Sequence, residues 1–232
     1  LPHYPHVPNR PFQGASGCGD YGDGVVEFDA AVGAILSTLE ATGQAGDTIV
    51  IVTSDNGADL SGGQAGFGHA SNAWWRGQKA DIHEGGHRVP FVARWPGVIP
   101  AGTVSDATIC LTDLFATVAD FVGATLPVGA APDSVSFRPI LEGAAPGTQV
   151  RDAIVHHSMD GTFAVRSGAW KLATSLGTGG FTAPREVDAT AGGPKGTLFH
   201  LGDDPEEAHD LYPERAEEVA RLGRVLTEIR AV

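Results

Sequence analysis

The run of β-branched and apolar residues from Thr48 to Thr53 is the feature that most limits how this chain can fold. A short, nearly continuous run of this kind is typical of a strand buried on both faces of a sheet. An amphipathic helix is predicted directly before it, from near Val25 to near Gly43, since apolar residues recur there at helical spacing. A helix that leads into a buried strand indicates an α/β fold.

The second half of the chain has a different pattern. Residues 126–148 are rich in Pro, Gly and Ala and predict a linker, so we divide the chain into an α/β part, residues 1–148, and a small C-terminal α+β part, residues 149–232. A last amphipathic helix is predicted from about Pro213. Before it, short strand-like segments separated by turn residues predict an antiparallel sheet over residues 153–157, 162–165, 170–173 and 198–201.

Charge excludes some function classes. The 232 residues carry 15 Lys and Arg against 28 Asp and Glu, a net charge of −13. Such a surface repels phosphate backbones and anionic lipid headgroups, so we expect neither a nucleic-acid partner nor a membrane-surface protein. No run approaches the roughly 18 apolar residues of a membrane span. Cys18 and Cys110 have no metal-type spacing.

The residues directly after the Thr48–Thr53 run have the chemistry of a ligand site. In open α/β sheets, ligands bind outside the carboxyl ends of strands, which is where Asp55 and Asn56 fall. A carboxylate beside an amide carbonyl offers the hard oxygen ligands that Ca²⁺ or Mg²⁺ prefers. The same Asp-Asn-Gly sequence is also typical of a simple turn. Both interpretations stand at this point.

A local excess of basic residues suggests an anionic substrate, although a solvated loop with scattered charges would have the same composition. Lysine supplies a compact positive charge, and the glycines among these residues allow close backbone approach. Two further histidines, His3 and His6, lie in a Pro-rich segment near the start and suit a general acid or a ligand, although a loop histidine is more often neither. The basic residues are His69, Arg76, Lys79, His83, His87 and Arg88.

Together these segments resemble the arylsulfatase family. Any one of the motifs is weak, but the ordered set is specific and extends over nearly the whole chain. The C-terminal members of the set are Arg166-Ser167-Gly168-Ala169-Trp170-Lys171 and the segment from Leu198 to Glu206. The earlier ones are His6-Val7-Pro8, Thr53-Ser54-Asp55-Asn56-Gly57, Arg76-Gly77-Gln78-Lys79, Glu84-Gly85-Gly86-His87-Arg88-Val89-Pro90 and the segment from Phe91 to Pro96.

The resemblance implies an alkaline-phosphatase-like α/β sandwich, with an incomplete central sheet, and hydrolysis of sulfate esters at a site that holds one calcium ion. Carried over by motif, Asp55 and Asn56 correspond to metal ligands. Lys79 corresponds to the lysine that contacts sulfate, and His6 to the histidine that contacts sulfate and the leaving-group oxygen. We add His69 as a substrate-binding candidate. Glu84 and Arg88 are expected to support the loop.

Two family motifs are missing from the 232 residues. Sulfatases carry their nucleophile, a formylglycine made from Cys or Ser, in a Cys/Ser-x-Pro-x-Arg motif, and neither Cys18, Cys110 nor any Ser fits it. The family's paired metal-binding Asp residues are also missing, since Asp203-Asp204 belongs to the C-terminal motif. We therefore expect this chain to be the C-terminal portion of a sulfatase and to be inactive alone.

Two other functions remain open. A phosphodiesterase or phosphonate hydrolase of the same superfamily is one, although two-zinc enzymes favour His at the position of Asn56. A sulfatase-like binding module without a nucleophile is the other. The resemblance implies a sulfated small molecule or sulfated carbohydrate as partner, and it favours a periplasmic or secreted location.

Overall fold

A long helix, α1, covers Gly19–Ala41 in the computed structural model, which describes residues 3–231. It begins six residues before the predicted start at Val25. Gly22 in this early part of the helix is closely packed, because a Cβ on it would lie 2.6 Å from the Ser16 hydroxyl oxygen. The buried Asp23 carboxylate fixes the preceding loop by accepting a hydrogen bond from the Ser16 amide, at 2.8 Å.

The predicted strand forms as β1, Val50–Thr53, and pairs antiparallel with β2, Phe91–Arg94. Thr53 lies opposite Phe91, so the loop after β1 and the segment before β2 meet at one end of this pair. The expectation that β1 is buried on both faces is wrong for the described residues. All four of its residues are half-buried, because β2 is its one strand neighbour there.

Between β1 and β2 the chain forms 3-10 turns and one short helix, α2, Glu84–His87. Two further helices follow β2. These are α3, Asp113–Phe121, and α4, Arg138–Leu141. Gly123, two residues after the end of α3, has a left-handed φ of +66°, a conformation in which glycine is favoured.

The C-terminal part forms the predicted antiparallel sheet. Its four strands, in spatial order, are β3 (Ile154–His157), β4 (Phe163–Ser167), β5 (Trp170–Ala173) and β6 (Thr197–His200). Helix α5, Ala216–Ile229, packs on one face through Leu222 and Leu226, which join Val165, Leu172 and Leu198 in a buried core. The strand predictions are confirmed to within two residues at every end. Among residues 3–231, no helix is both long and apolar enough to span a membrane.

Candidate active site

Helix α2 holds the loop that follows β1. The Gly57 amide donates a hydrogen bond of 2.9 Å to the carbonyl oxygen of Gly86. The backbones meet so closely that a Cβ on Gly57 would lie 1.7 Å from the Gly85 carbonyl oxygen. Glycine is therefore required at position 57, and the contact fixes where the preceding Asp55 and Asn56 lie.

This contact predicts a large effect of Gly57→Ala. Because the added methyl group meets backbone rather than a mobile side chain, the free energy of unfolding should fall by about 3 kcal/mol, the upper end of the range for overpacking. Gly33→Ala is the matched control. It lies inside α1 with open space around it, so it should raise stability by about 0.5–1 kcal/mol. Urea unfolding measures both, and equal stability of the two variants would contradict the close contact.

Asp55 and Asn56 have oxygens free for a cation. The Asp55 side chain is exposed, and no hydrogen bond to it occurs within residues 3–231. The Asn56 amide nitrogen donates to the Gly57 carbonyl at 2.9 Å, which leaves its side-chain oxygen available. These two oxygens fit part of a calcium coordination shell. Among the described residues, no three His, Cys, Asp or Glu side chains cluster as a metal site.

Lys79 lies beside this loop and has its own anchor. Its amide donates to the Ala58 carbonyl at 3.0 Å, and its ammonium lies 3.1 Å from Nε2 of His3. Nδ1 of His3 lies 2.9 Å from the Tyr4 carbonyl oxygen, which can only accept, so Nδ1 is the protonated nitrogen and Nε2 accepts from Lys79. The next residue, Ala80, has a left-handed φ of +79°, a strained conformation common at functional sites.

His6 packs between aromatic rings near Lys79. Its ring makes an edge contact with Tyr21 at a centroid distance of 5.2 Å, and Tyr21 in turn lies 6.1 Å from the ring of His69. Its buried Nε2 atom has no partner within residues 3–231. Gly62 makes room for the ring, because a Cβ there would lie 2.8 Å from it.

Asp59 links the positions of His6 and Lys79. Burial alone would raise the pKa of its carboxyl, but hydrogen bonding by Ser61 and the nearby Lys79 and His6 lower that pKa below the usual value. The structure thus brings together His6 and Lys79 around an ionised carboxylate, and it connects His69 to His6 through Tyr21. The sequence interpretation included neither Asp59 nor Tyr21, because neither stands in a recognised motif.

The predicted basic cluster divides into two groups, so its interpretation as one anion site is wrong. Lys79 and His69 lie towards His6. The others lie towards Glu84 and Glu207: Arg88 binds the Glu84 carboxylate at 2.7 Å, and the Arg76 guanidinium donates to the backbone carbonyl of Glu207 at 2.7 Å. His83 lies 3.6 Å from the Glu207 carboxylate. The expected supporting role of Glu84 and Arg88 agrees with these contacts.

A buried ion network joins α2 to the C-terminal sheet. Lys171 of β5 is fully buried, and its ammonium lies 3.1 Å from the Glu84 carboxylate and 2.9 Å from that of Glu207. Arg166 of β4 also reaches Glu84, at 3.4 Å. Burial would raise the pKa of Glu84, but Lys171, Arg88 and Arg166 together lower it to about 2. The carboxylate is therefore ionised and held by three cations.

Two half-buried histidines, each with one ring nitrogen fully buried, predict acid sensitivity. Burial, helped by nearby Lys171, lowers the pKa of His87 to about 4 and that of His156, whose ring is 4.2 Å away, well below its usual value. A histidine buried in its neutral form stabilises the fold fully above its unfolded pKa near 6.5, and that stability is lost as pH falls towards the folded pKa. Since one pKa unit corresponds to about 1.4 kcal/mol, His87 alone should contribute about 2–3 kcal/mol to this loss.

Urea unfolding at pH 7, 6, 5 and 4 tests this expectation. His87→Gln should flatten the fall between pH 6.5 and 4, whereas His209→Gln, at a position that is 83% exposed, should leave the fall unchanged. Below pH 4.5, Glu84 adds a second loss, because a carboxylate with a lowered pKa stabilises the fold only while ionised. A wild-type profile that is flat from pH 7 to 4 would contradict the assignment.

The fold and these residues define an alkaline-phosphatase-like α/β protein with an oxygen-rich loop and a basic group at the end of its first strand. The family follows from the sequence: the model of the Sulfatase family matches residues 2–124, more than half of the chain. The chain belongs to the sulfatase family.

Individual relatives agree with this assignment. Rat steryl-sulfatase is 44% identical over 143 residues, which are 61% of this chain and 25% of that protein. An N-acetylgalactosamine-6-O-sulfatase of Bacteroides thetaiotaomicron is 30% identical over 242 residues, 98% of this chain and 45% of the relative. A solved sulfatase structure from a study of glycosaminoglycan metabolism by Bacteroides thetaiotaomicron superposes with a TM-score of 0.86 at 30% identity, covering 99% of this chain and 48% of that one. The chain thus spans less than half the length of each.

Proposed function

We propose that these residues form part of the active site of a sulfuric ester hydrolase. The observation that carries the proposal is that Lys79 and His6 both flank the loop that follows Asp55 and Asn56: Lys79 is bound to the Ala58 carbonyl and the His6 ring lies against Gly62, all within the segment that matches the Sulfatase family. A lysine ammonium, a pair of free oxygen ligands and a histidine in one loop cluster are suited to a sulfate ester, whose three terminal oxygens share one negative charge, and to its leaving group.

Each side chain has a proposed task. Lys79 holds a sulfate oxygen, and the backbone anchor at Ala58 with the His3 contact orients its ammonium. His6 contacts sulfate and delivers a proton to the leaving-group oxygen, the atom on which charge develops as the ester bond breaks. His69 binds the substrate on the far side of Tyr21.

Asp55 and Asn56 would hold the calcium ion through their carboxylate and amide oxygens. Such an ion supplies positive charge to the sulfate oxygens. The formylglycine nucleophile is not encoded in these 232 residues, because no Cys/Ser-x-Pro-x-Arg sequence occurs in them. We therefore propose that this chain alone does not turn over a sulfate ester.

The proposed substrate is a sulfated sugar. Two of the similar proteins support this choice: one is named for the sulfate on N-acetylgalactosamine, and the other comes from the glycosaminoglycan study. A steryl sulfate is the other class that a similar protein's name supports.

Turnover by the complete gene product tests the proposal. Produced in cells that make formylglycine, it should hydrolyse a sulfated N-acetylhexosamine or p-nitrophenyl sulfate and lose activity on calcium chelation. The 232-residue chain should be inactive on both substrates. Faster hydrolysis of bis-p-nitrophenyl phosphate, with two bound zinc ions, would support the phosphodiesterase alternative, and binding of the sugar without turnover would support the binding module.

A further inference from the structure

A pocket of about 470 Å³ adjoins the Lys79 and His6 region, and the proposed sulfate chemistry does not use its walls. Its volume is within the range of small-molecule sites. Asp59 lies in the pocket wall and is also close to the proposed active site, since both Lys79 and His6 influence the pKa of its carboxyl. The lining residues are Tyr4, Asp59, Leu60, Ser61, Gln78 and Phe181.

Two exposed aromatic rings form part of this lining. Tyr4 is 62% exposed and Phe181 is 51% exposed, although each is large and apolar. Tyr4 also touches the proposed proton donor, with its ring centroid 6.1 Å from that of His6. Aromatic faces of this kind suit the C–H face of a pyranose ring, while the ionised Asp59 and the Ser61 hydroxyl can bind sugar hydroxyl groups.

The loop that carries Phe181 is fixed to the segment that carries Lys79. Asp81 is fully buried between them. One of its oxygens accepts from the Thr182 amide at 3.0 Å, and the other accepts from the Gln78 amide at 2.9 Å and from the Thr182 hydroxyl. The Ile82 amide donates to the Thr178 carbonyl at 2.9 Å.

Close backbone packing makes this connection rigid. A Cβ on Gly180 would lie 2.4 Å from the backbone of Ala80, the residue with the left-handed φ directly after Lys79. Residues 177–180 are all buried, whereas Phe181 projects to the surface at the pocket. The aromatic ring and the Lys79 ammonium are thus held on one rigid unit, although the two residues are far apart in sequence.

We propose that Phe181 is a specificity-determining residue, the aromatic wall of a subsite that takes the uncharged pyranose ring bearing the sulfate ester. The negative charge of Asp59 disfavours a uronate in the same place. Thr182 is a positioning residue, which holds Phe181 through Asp81. This inference rests on the proposed function, since it assigns the leaving-group side of that same site.

Kinetics of the complete gene product test the subsite. For a sulfated N-acetylhexosamine, Phe181→Ala should raise KM about tenfold, with kcat changed by less than about threefold. The inhibition constant of inorganic sulfate, which fills the sulfate site and leaves the sugar pocket empty, should not change. Thr182→Val should raise KM to a smaller extent.

Two substitutions at the same position separate aromatic contact from bulk. Phe181→Tyr should keep the wild-type KM, whereas Phe181→Leu, which is apolar without a flat face, should behave like Phe181→Ala. If the wild type hydrolyses the sugar sulfate and all three variants have its KM, the subsite is wrong and the proposed function stands. A wild type without any sulfate-ester turnover overturns the proposed function and the subsite with it.

Discussion

Lys79→Ala and His6→Ala should each lower kcat of the complete gene product on a sulfate ester by about 10²-fold or more. The expected loss is this large because both groups act most strongly where charge develops in the transition state, and removal of such a donor typically has an effect of this size. Lys79→Ala removes the ammonium that His3 orients at 3.1 Å, and His6→Ala removes the imidazole that packs against Tyr21. Initial rates at saturating substrate measure both.

The chain offers matched controls for these two substitutions. Lys195→Ala removes an exposed lysine, and His209→Ala removes a histidine that is 83% exposed, so neither should change kcat by more than about twofold. Circular dichroism should show that all four variants fold alike. If both Lys79→Ala and His6→Ala keep the wild-type kcat, these two residues do not belong to the catalytic site.

The sequence predicts local elements well because their patterns lie within short segments. Strands β3 to β6 alternate with turn residues, and β1 stands out through its β-branched run. The Asp55–Asn56 loop is predictable in the same way, from its place at a strand end. Helix α1 begins earlier than predicted, and the close packing of its Gly22 against Ser16 and Cys18 exists only in the folded chain.

Contacts between distant segments could not be predicted in this way. Lys171 and Glu84 are 87 residues apart, and Asp81 and Thr182 are 101 apart. In the sequence, Lys171 is a polar residue in a strand, a position usually interpreted as solvent-facing, and only the folded chain shows that it is fully buried. Asp59 likewise gained its place in the site from the folding of its own loop around Lys79 and His6.

Lys171→Met should reduce the free energy of unfolding by about 3–5 kcal/mol. Removal of one partner from a buried ion network leaves charges that burial penalises, and this is why such substitutions have large effects. Without Lys171, the Glu207 carboxylate keeps, among residues 3–231, the Glu84 amide at 2.7 Å and His83 at 3.6 Å. Glu84 keeps Arg88 and Arg166, so the greater part of the loss should come from Glu207.

A second substitution tests that division. Glu207→Gln in the Lys171→Met background removes the unpaired charge, so the double variant should be more stable than Lys171→Met, which a double-mutant cycle by urea unfolding measures. Arg138→Met is the control, since Arg138 pairs with Glu142 at the surface at 2.8 Å, and its loss should cost about 0–1 kcal/mol. If Lys171→Met loses no more unfolding free energy than Arg138→Met does, the network does not stabilise the fold. Because Glu84 begins helix α2, whose Gly86 accepts from the Gly57 amide, the same ion network connects the C-terminal sheet to the Asp55–Asn56 loop.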